Sequence, residues 1–290
     1  MSAPLSTELD RPSALAAVLG GAPPSAVTTA GVAAARAELG RSLPNGRPAG
    51  GSGAVLRLDR RRFAALRRGP AGLDGIDLPF RCSPARCRRA IGLDALDRCL
   101  RNRATSPAIA VAEVLADAEA RLVGPGTGHG VPWWAPWWHR QPLGGRAVVQ
   151  AEAVVWATQV YTGIDWRRAG RRAVVVTRDQ RVRVAGAPWC RLEGRADVRV
   201  EAESGGAALV VVGSGPAPAD WSLDLGFPAL VSHLAGGRSA VSLVVGWWPD
   251  SGQVRQVRVD DATLVAMAGA TAAAASTWWH ASVPPEVFGA

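Results

Sequence analysis

The fold is decided by LEGRADVRVEAESGGAALVVVGSG, the stretch from residue 192 to residue 215. Its first part belongs to a run of alternating polar and apolar residues that predicts a strand over 189–203. Its second part, from Ala207 to Ser214, is almost continuously apolar. Such a run is typical of a strand that is covered on both faces.

Outward from this stretch, the residue patterns predict a succession of helices and strands. Before the strands over 189–203 and 207–214, the patterns predict a helix over 147–161 and two strands within 173–184 around a turn at 178–180. After them, the patterns predict a helix over about 220–234, a strand over 242–248, a turn at 249–252 and a strand over 253–259. The last predicted element is a helix from Asp261, its expected N-cap, to about residue 275. The succession predicts the α/β (α+β) fold class, with a central mixed β-sheet flanked by helices.

Two further regions precede this predicted core. Residues 1–54 are rich in Ala, Gly and Pro and predict a loosely ordered segment with one helix over 29–39. Residues 55–144 predict a helical region with a Trp-rich loop, which opens with a strand and a basic helix capped by Asp59. The predicted domains are therefore 1–54, 55–144 and 145–290.

Three motifs in the C-terminal part resemble the PD-(D/E)XK nucleases, specifically their RecB-like branch. Leu192-Glu-Gly-Arg-Ala-Asp197 is similar to the family's hydrophobic-x-Gly-Arg-(Ile/Ala)-Asp strand. Ala208-Leu-Val-Val-Val-Gly-Ser-Gly215 stands where the family has Val-Val-Asp-Tyr-Lys-Thr-Gly, and Pro249-Asp-Ser-Gly252 resembles its Pro-x-(Ser/Thr)-Gly hairpin. The resemblance covers roughly residues 145–280 and implies a PD-(D/E)XK-like core.

The resemblance also implies where a magnesium site would stand. Family members hold Mg²⁺ with carboxylates from adjacent strands, and a lysine orients the attacking water. Asp197 matches the first acid, but Val211 stands at the second acid and Gly213 at the lysine. Neither replacement ligates a metal or carries a proton. The resemblance therefore implies no metal or other cofactor and favours a catalytically inactive chain, although enzyme activity stays open.

Acids elsewhere offer an alternative, an active Mg²⁺-dependent deoxyribonuclease with relocated ligands. The candidate ligands are Glu152, Glu193, Glu201, Glu203 and Asp224. The simpler interpretation of the charges over residues 195–201, Asp197 included, is that alternate strand positions face solvent.

Net charge is +9, and all 33 basic residues are arginine. A GC-rich coding bias accounts for arginine in place of lysine but not for the excess of base over acid. The lack of lysine excludes a Walker phosphate loop and Schiff-base chemistry. Guanidinium groups also match phosphate oxygens, so the predicted basic helix is a candidate DNA contact. Its arginines are Arg60, Arg61, Arg62, Arg67 and Arg68.

Four tryptophans lie close together in PWWAPWWHR, residues 132–140. The prolines predict an extended or turn-like segment that displays all four indoles. Trp133, Trp134, Trp137 and Trp138 can stack bases of single-stranded DNA beside Arg140. Alternatively, they cap a core or form, with Trp247 and Trp248, an apolar surface for a partner protein.

The four cysteines suit a reducing compartment. Cys82, Cys87, Cys99 and Cys190 contain no Cys-x-x-Cys pair, which favours buried thiols over an iron–sulfur cluster. The sequence has no apolar run of about 18 residues and no signal-peptide pattern at its start, so we expect a cytoplasmic location and no membrane partner.

Together these features predict a catalytically inactive RecB-like protein that acts as a DNA-binding or scaffolding subunit in DNA recombination, repair or defence. The expected partners are DNA and a helicase or nuclease subunit. Two alternatives stay open, namely a protein-interaction module that does not bind DNA and the metal-dependent nuclease with relocated acids.

Overall fold

A computed structural model describes residues 11–44, 55–69, 82–123, 130–170, 172–176, 180–236 and 241–282. In chain order its helices and strands are α1 Arg11–Gly20, α2 Thr29–Ser42, β1 Leu56–Leu58, α3 Arg60–Arg67, α4 Pro84–Leu100, α5 Pro107–Val123, α6 Ala135–His139, α7 Leu143–Thr162, β2 Arg172–Val175, β3 Gln180–Val184, β4 Ala187–Gly194, β5 Val198–Glu201, β6 Ala207–Val212, α8 Trp221–Leu234, β7 Val241–Trp248, β8 Gln253–Arg258 and α9 Asp261–Ser282. The predicted fold class, helices with mixed sheets, is confirmed.

The chain forms two compact units. Unit 1 comprises residues 1–7, 19–78 and 176–290, and unit 2 comprises residues 8–18 and 79–175. These units differ from the predicted division at residues 54 and 144, because β1 and α3 pack with the C-terminal part of the chain and α7 packs with α4 and α5. None of the helices in the described ranges is long and apolar enough to cross a membrane.

Unit 1 contains a three-stranded sheet in the order β1-β4-β3. β1 runs parallel to β4, and β3 runs antiparallel to it. The two strands predicted within 173–184 are present as β2 and β3, and β3 pairs with β4 across the turn at Gly186, whereas β2 belongs to unit 2. The turn residues 177–179 lie outside the described residues.

The strand predicted over 189–203 is two strands, β4 and β5, in different sheets. The chain leaves the first sheet at Gly194, where a Cβ would come within 2.5 Å of Val231 on α8. The strand β4 ends at this position, and β5 begins four residues later at Val198. An alternating pattern is local, so it cannot reveal that its two halves join different sheets.

The second sheet contributes four strands to unit 1, in the order β5-β6-β7-β8. β6 runs parallel to β7, whereas β5 and β8 run antiparallel to their neighbours. Every residue of β6 and β7 is buried, as the apolar run predicted for β6. The helix α8 connects β6 to β7, because two parallel strands must be joined by a crossover connection.

The N-terminal helix α2 packs against the C-terminal helix α9. Asp261 at the start of α9 accepts hydrogen bonds from the Thr28 backbone N–H (2.8 Å) and hydroxyl (2.7 Å). The N-cap of α9 is therefore Asp260, which accepts from Thr263 N at 2.7 Å, and not Asp261 as predicted. Because Ala35 and Leu39 of α2 are buried, this part of the predicted loose segment is packed.

Unit 2 is built from helices. Ser83 and Ser106 accept hydrogen bonds from the first turns of α4 and α5, and each is followed by a proline that a first turn tolerates. The helix α4 packs closely against α7, since a Cβ on Gly92 would lie 2.4 Å from the Trp156 ring. Arg98 of α4 forms ion pairs with two acids of α5.

Candidate functional site

Asp197, the residue that matches the first acid of the nuclease motif, is 5% exposed. Its Oδ2 accepts a hydrogen bond from Val212 N at 2.7 Å, and its own backbone N–H donates to Val210 O at 2.9 Å. The interpretation that it faces solvent is therefore wrong for Asp197. The carboxylate satisfies a buried amide at the end of β6, which is a structural role.

The two positions that match the second acid and the lysine of the nuclease motif are both tightly packed. Val211 is 2% exposed and belongs to the hydrophobic core. A Cβ built on Gly213 would lie 2.0 Å from Nε1 of Trp248. The same indole lies against Gly246 on β7, where a Cβ would come within 2.6 Å of its ring. Trp248 thus occupies the space into which a side chain at position 213 would project.

Three of the five candidate relocated acids, Asp224, Glu193 and Glu152, lie beside arginines. Asp224 pairs with Arg67 at 3.1 Å, and Glu193 lies 3.6 Å from Arg191. Glu152 belongs to unit 2, where it lies 3.6 Å from Arg88. Glu201 is partly buried and Glu203 is exposed. Over the described part of the chain, no three His, Cys, Asp or Glu side chains come together in a group that could hold a metal ion.

A cleft of about 260 Å³ opens in unit 1 at the end of β6. It is lined by Arg60, Arg61, Ala64, Gly213, Ser214, Pro216, Pro218, Trp221, Asp224, Leu225 and Trp248. The β7–β8 turn fixes the loop that forms one wall, because Gly215 N donates to Asp250 (3.0 Å) and Ala217 N donates to Gln253 (2.6 Å).

Sequence analysis missed Trp221 and the Pro216–Pro218 wall as parts of a site. The available signal was a loop with two prolines directly after a buried strand, since the carboxyl ends of strands are where α/β proteins place binding sites.

The five arginines around α3 divide into two groups. Arg67 forms ion pairs with Asp220 (3.2 Å) and Asp224 (3.1 Å) and lies over the Phe63 ring, so its guanidinium group is engaged within the protein. Arg62 donates to the backbone O of Arg57. Arg60 and Arg61 line the cleft, and Arg61 and Arg68 are exposed. Of the five arginines, Arg61 and Arg68 are therefore the two with exposed side chains.

Asp224 is the acid of this cleft. Burial raises its pKa above the ordinary value, and the neighbouring Asp220 carboxylate raises it further, while Arg67 opposes both effects. The lining of the cleft therefore combines the guanidinium groups of Arg60 and Arg61 with the partly buried carboxyl group of Asp224.

The tryptophan segment of unit 2 differs from its prediction. Residues 135–139 form the short helix α6, because Pro136 lies in its first turn, where a missing N–H is tolerated. Trp134 and Trp138 are 1% and 5% exposed, and Arg146 lies over the Trp138 ring at 5.0 Å. Trp133 is 49% exposed, Trp137 is partly buried and Arg140 is exposed.

The prediction that all four indoles are displayed is therefore wrong. Trp247 and Trp248 are also buried, at 7% and 5% exposure, so the predicted apolar surface of six tryptophans does not form. Their packing in the core removes them from any partner surface.

All four cysteines are free thiols, and three of them, Cys87, Cys99 and Cys190, are buried. Burial raises the pKa of Cys87 and of Cys190 to about 12. Such thiols are poor nucleophiles, because the thiolate is the reactive form.

Comparisons with protein-family models, with curated proteins and with solved structures give no match to this chain.

Proposed function

We propose that the chain is a catalytically inactive RecB-like nuclease-fold protein, which binds DNA as a DNA-binding or scaffolding subunit in recombination, repair or defence. A helicase or nuclease subunit is the expected protein partner, and a cytoplasmic location belongs to the same proposal.

The observation that carries the inactive assignment is the packing of Trp248 against Gly213. In the resemblance, position 213 would hold the lysine that orients the attacking water. An indole now fills that space, and Asp197 is engaged by a backbone amide of its own sheet. A nuclease active site would require at least two changes here, namely a lysine in place of Gly213 and the release of the Asp197 carboxylate from the backbone amide.

The arginines at the cleft support the DNA-binding part. Arg60 and Arg61 come from the first turn of α3, where the helix dipole adds positive potential. The chain as a whole carries +9. Arginine forks contact phosphates independently of sequence, so we expect binding that weakens as salt rises.

Fluorescence anisotropy with labelled duplex DNA tests this proposal. The full chain should bind at about 50 mM salt and lose affinity steeply towards about 200 mM, because phosphate contacts release counterions. Arg61→Gln should reduce the salt slope by about one counterion. The matched control is Arg167→Gln, an exposed arginine of unit 2 outside the cleft. No retention of DNA at low salt would refute DNA binding, and Mg²⁺-dependent cleavage would refute inactivity.

A second candidate, the protein-interaction module, is favoured by one observation on α7. Leu143, Val148 and Val155 on this helix are 81%, 57% and 57% exposed. Val148 and Val155 are two turns apart and therefore share one face of α7, and such a contiguous apolar face is typical of a surface that another protein covers. Co-expression with a helicase or nuclease subunit encoded beside the gene tests it. Val155→Glu should release such a partner without changing DNA affinity.

A further inference from the structure

The charged side chains of the three-stranded sheet in unit 1 all lie on one of its faces. The register pairs Arg191 of β4 with Arg57 of β1 on one side and with Arg183 of β3 on the other. Two residues further along the strands, Arg181 is paired with Glu193. Paired residues of neighbouring strands project to the same face, and so do residues two apart along one strand. These four arginines and one acid therefore form a single charged face.

The opposite face of this sheet belongs to the hydrophobic core. The register places Leu58, Leu192 and Val182 side by side across the three strands. Leu58 and Leu192 are fully buried in the core, and Val182 packs against it. The core therefore takes up the alternate strand positions, and its packing does not require arginine on the charged face.

Three of the arginines form a row across the charged face, in the order Arg57, Arg191 and Arg183. Neighbouring strands lie about 4.8 Å apart, so the row is about 10 Å long. Arg57 and Arg183, at its two ends, are exposed, and Arg191 between them is partly buried. Like charges directly opposite each other destabilise a sheet. A row that carries this cost, on a face where packing does not require it, indicates a surface that binds an anionic ligand.

Glu193 reduces the positive charge of this face but does not cancel it. Its carboxylate lies 3.6 Å from Arg191 and 3.7 Å from Arg181, whose side chain is 56% exposed. At the β1 edge of the sheet, Arg62 donates to Arg57 O at 2.8 Å and brings a further guanidinium group, while Asp59 brings a second acid as the cap of α3. The strands themselves carry four arginines against one acid, so the face stays cationic.

A line of positive charge fits a polyanion better than a single small anion. Each strand of DNA carries one phosphate per about 3.4 Å of helix axis, so a row about 10 Å long can meet more than one phosphate. Guanidinium forks contact phosphate oxygens bidentately. Because the side chains of this face are charged, they suit contacts to the DNA backbone, which carry no sequence information.

We propose that the charged face of the β1-β4-β3 sheet binds the phosphate backbone of DNA, with Arg57 and Arg183 on phosphates and Arg191 between them. This inference rests on the proposed function and adds to it the surface that holds the DNA. The same face should bind duplexes of any sequence with similar affinity.

Fluorescence anisotropy with the full chain and a labelled blunt duplex, at salt concentrations from about 50 to 200 mM, tests this inference. The double variant Arg57→Gln/Arg183→Gln should bind roughly 10- to 100-fold more weakly at about 100 mM salt, because two phosphate contacts are lost. Its salt slope should fall by about two. Arg57→Lys/Arg183→Lys keeps both positive charges and should retain most of the slope.

The matched control removes the same charge elsewhere. Arg167→Gln/Arg168→Gln changes two exposed arginines of unit 2 and should alter the affinity by less than about threefold, because salt screens distant charges. Urea unfolding of Arg57→Gln/Arg183→Gln should give a midpoint equal to or above that of the wild type, since the variant removes like charges that face each other. A loss of DNA binding would then not be a loss of folding.

The outcomes separate this inference from the proposed function. DNA binding by Arg57→Gln/Arg183→Gln with the affinity and salt slope of the wild type overturns the sheet face but leaves DNA binding intact. An equal loss in the unit 2 control also overturns it, because net charge alone would then explain the effect. Unchanged DNA affinity together with lost binding of polyglutamate would assign the face to an acidic protein, against the proposal. Absence of all DNA binding by the wild type at low salt removes both claims.

Discussion

The indole of Trp248 lies so close to the backbone of Gly213 that a Cβ on this glycine would stand 2.0 Å from Nε1. The two residues come from neighbouring parallel strands, at the end of β6 and the end of β7. Because of this contact, the end of β6 presents no side chain at position 213, and the Trp248 ring fills the space that such a side chain would occupy.

Gly213→Ala should destabilise unit 1 by about 1–3 kcal/mol, because the new methyl group forces the indole to move. Urea unfolding measures the loss. The matched control is Gly40→Ala on α2, whose nearest contact is an ordinary 3.8 Å; it should be neutral or stabilise by up to about 1 kcal/mol. In a double-mutant cycle with Trp248→Ala, the two losses should be less than additive. Full additivity would mean that the contact is absent.

Asp197→Ala should lower the free energy of unfolding by about 1–3 kcal/mol, since Val212 N would lose its buried acceptor. Asp197→Asn keeps an acceptor oxygen, so its loss should be smaller. Thermal melting with and without Mn²⁺ distinguishes this structural role from metal binding. A Mn²⁺-dependent rise in the melting temperature of the wild type that disappears in Asp197→Asn would contradict it.

His233 should make unit 1 less stable in mild acid. Burial lowers its pKa below the ordinary 6.5, and Arg199 lowers it further, while the hydrogen bond to Val241 O and the Asp261 carboxylate oppose the shift. The folded state therefore binds fewer protons than the unfolded state, so stability is present above pH 6.5 and is lost as the pH falls through the folded pKa.

Denaturant unfolding between about pH 7.5 and 5 checks this direction. His233→Gln should flatten the pH dependence, whereas His139→Gln, at an exposed position, should retain the wild-type slope. Stability that rises on acidification would contradict the buried, neutral imidazole.

Trp134→Ala should destabilise unit 2 by about 3–5 kcal/mol, because a 1% exposed indole leaves a large cavity. Trp133→Ala, the neighbouring 49% exposed indole, should cost less than about 1 kcal/mol. Thermal unfolding of the two variants compares them directly. Equal losses would mean that both indoles are packed.

Local residue patterns predict the type of most helices and strands and several of their caps. The continuous apolar run predicted the buried strand β6, and Asp59 was correctly predicted to cap α3, where it accepts from Arg62 N at 2.8 Å. These features depend on neighbours a few residues apart, so their signals are present in the chain itself. The nuclease resemblance also came from the sequence, and it stays a prediction.

Packing between distant segments sets which sheet each strand joins and which side chains reach the cleft, and neither can be predicted from local patterns. Arg67 was predicted to face DNA, but it pairs with Asp224, 157 residues further along the chain. Likewise, no local pattern shows that Trp248 fills the space at Gly213. Such contacts depend on how distant segments pack. A periodic pattern indicates whether a residue is buried, but it does not indicate which residue it contacts.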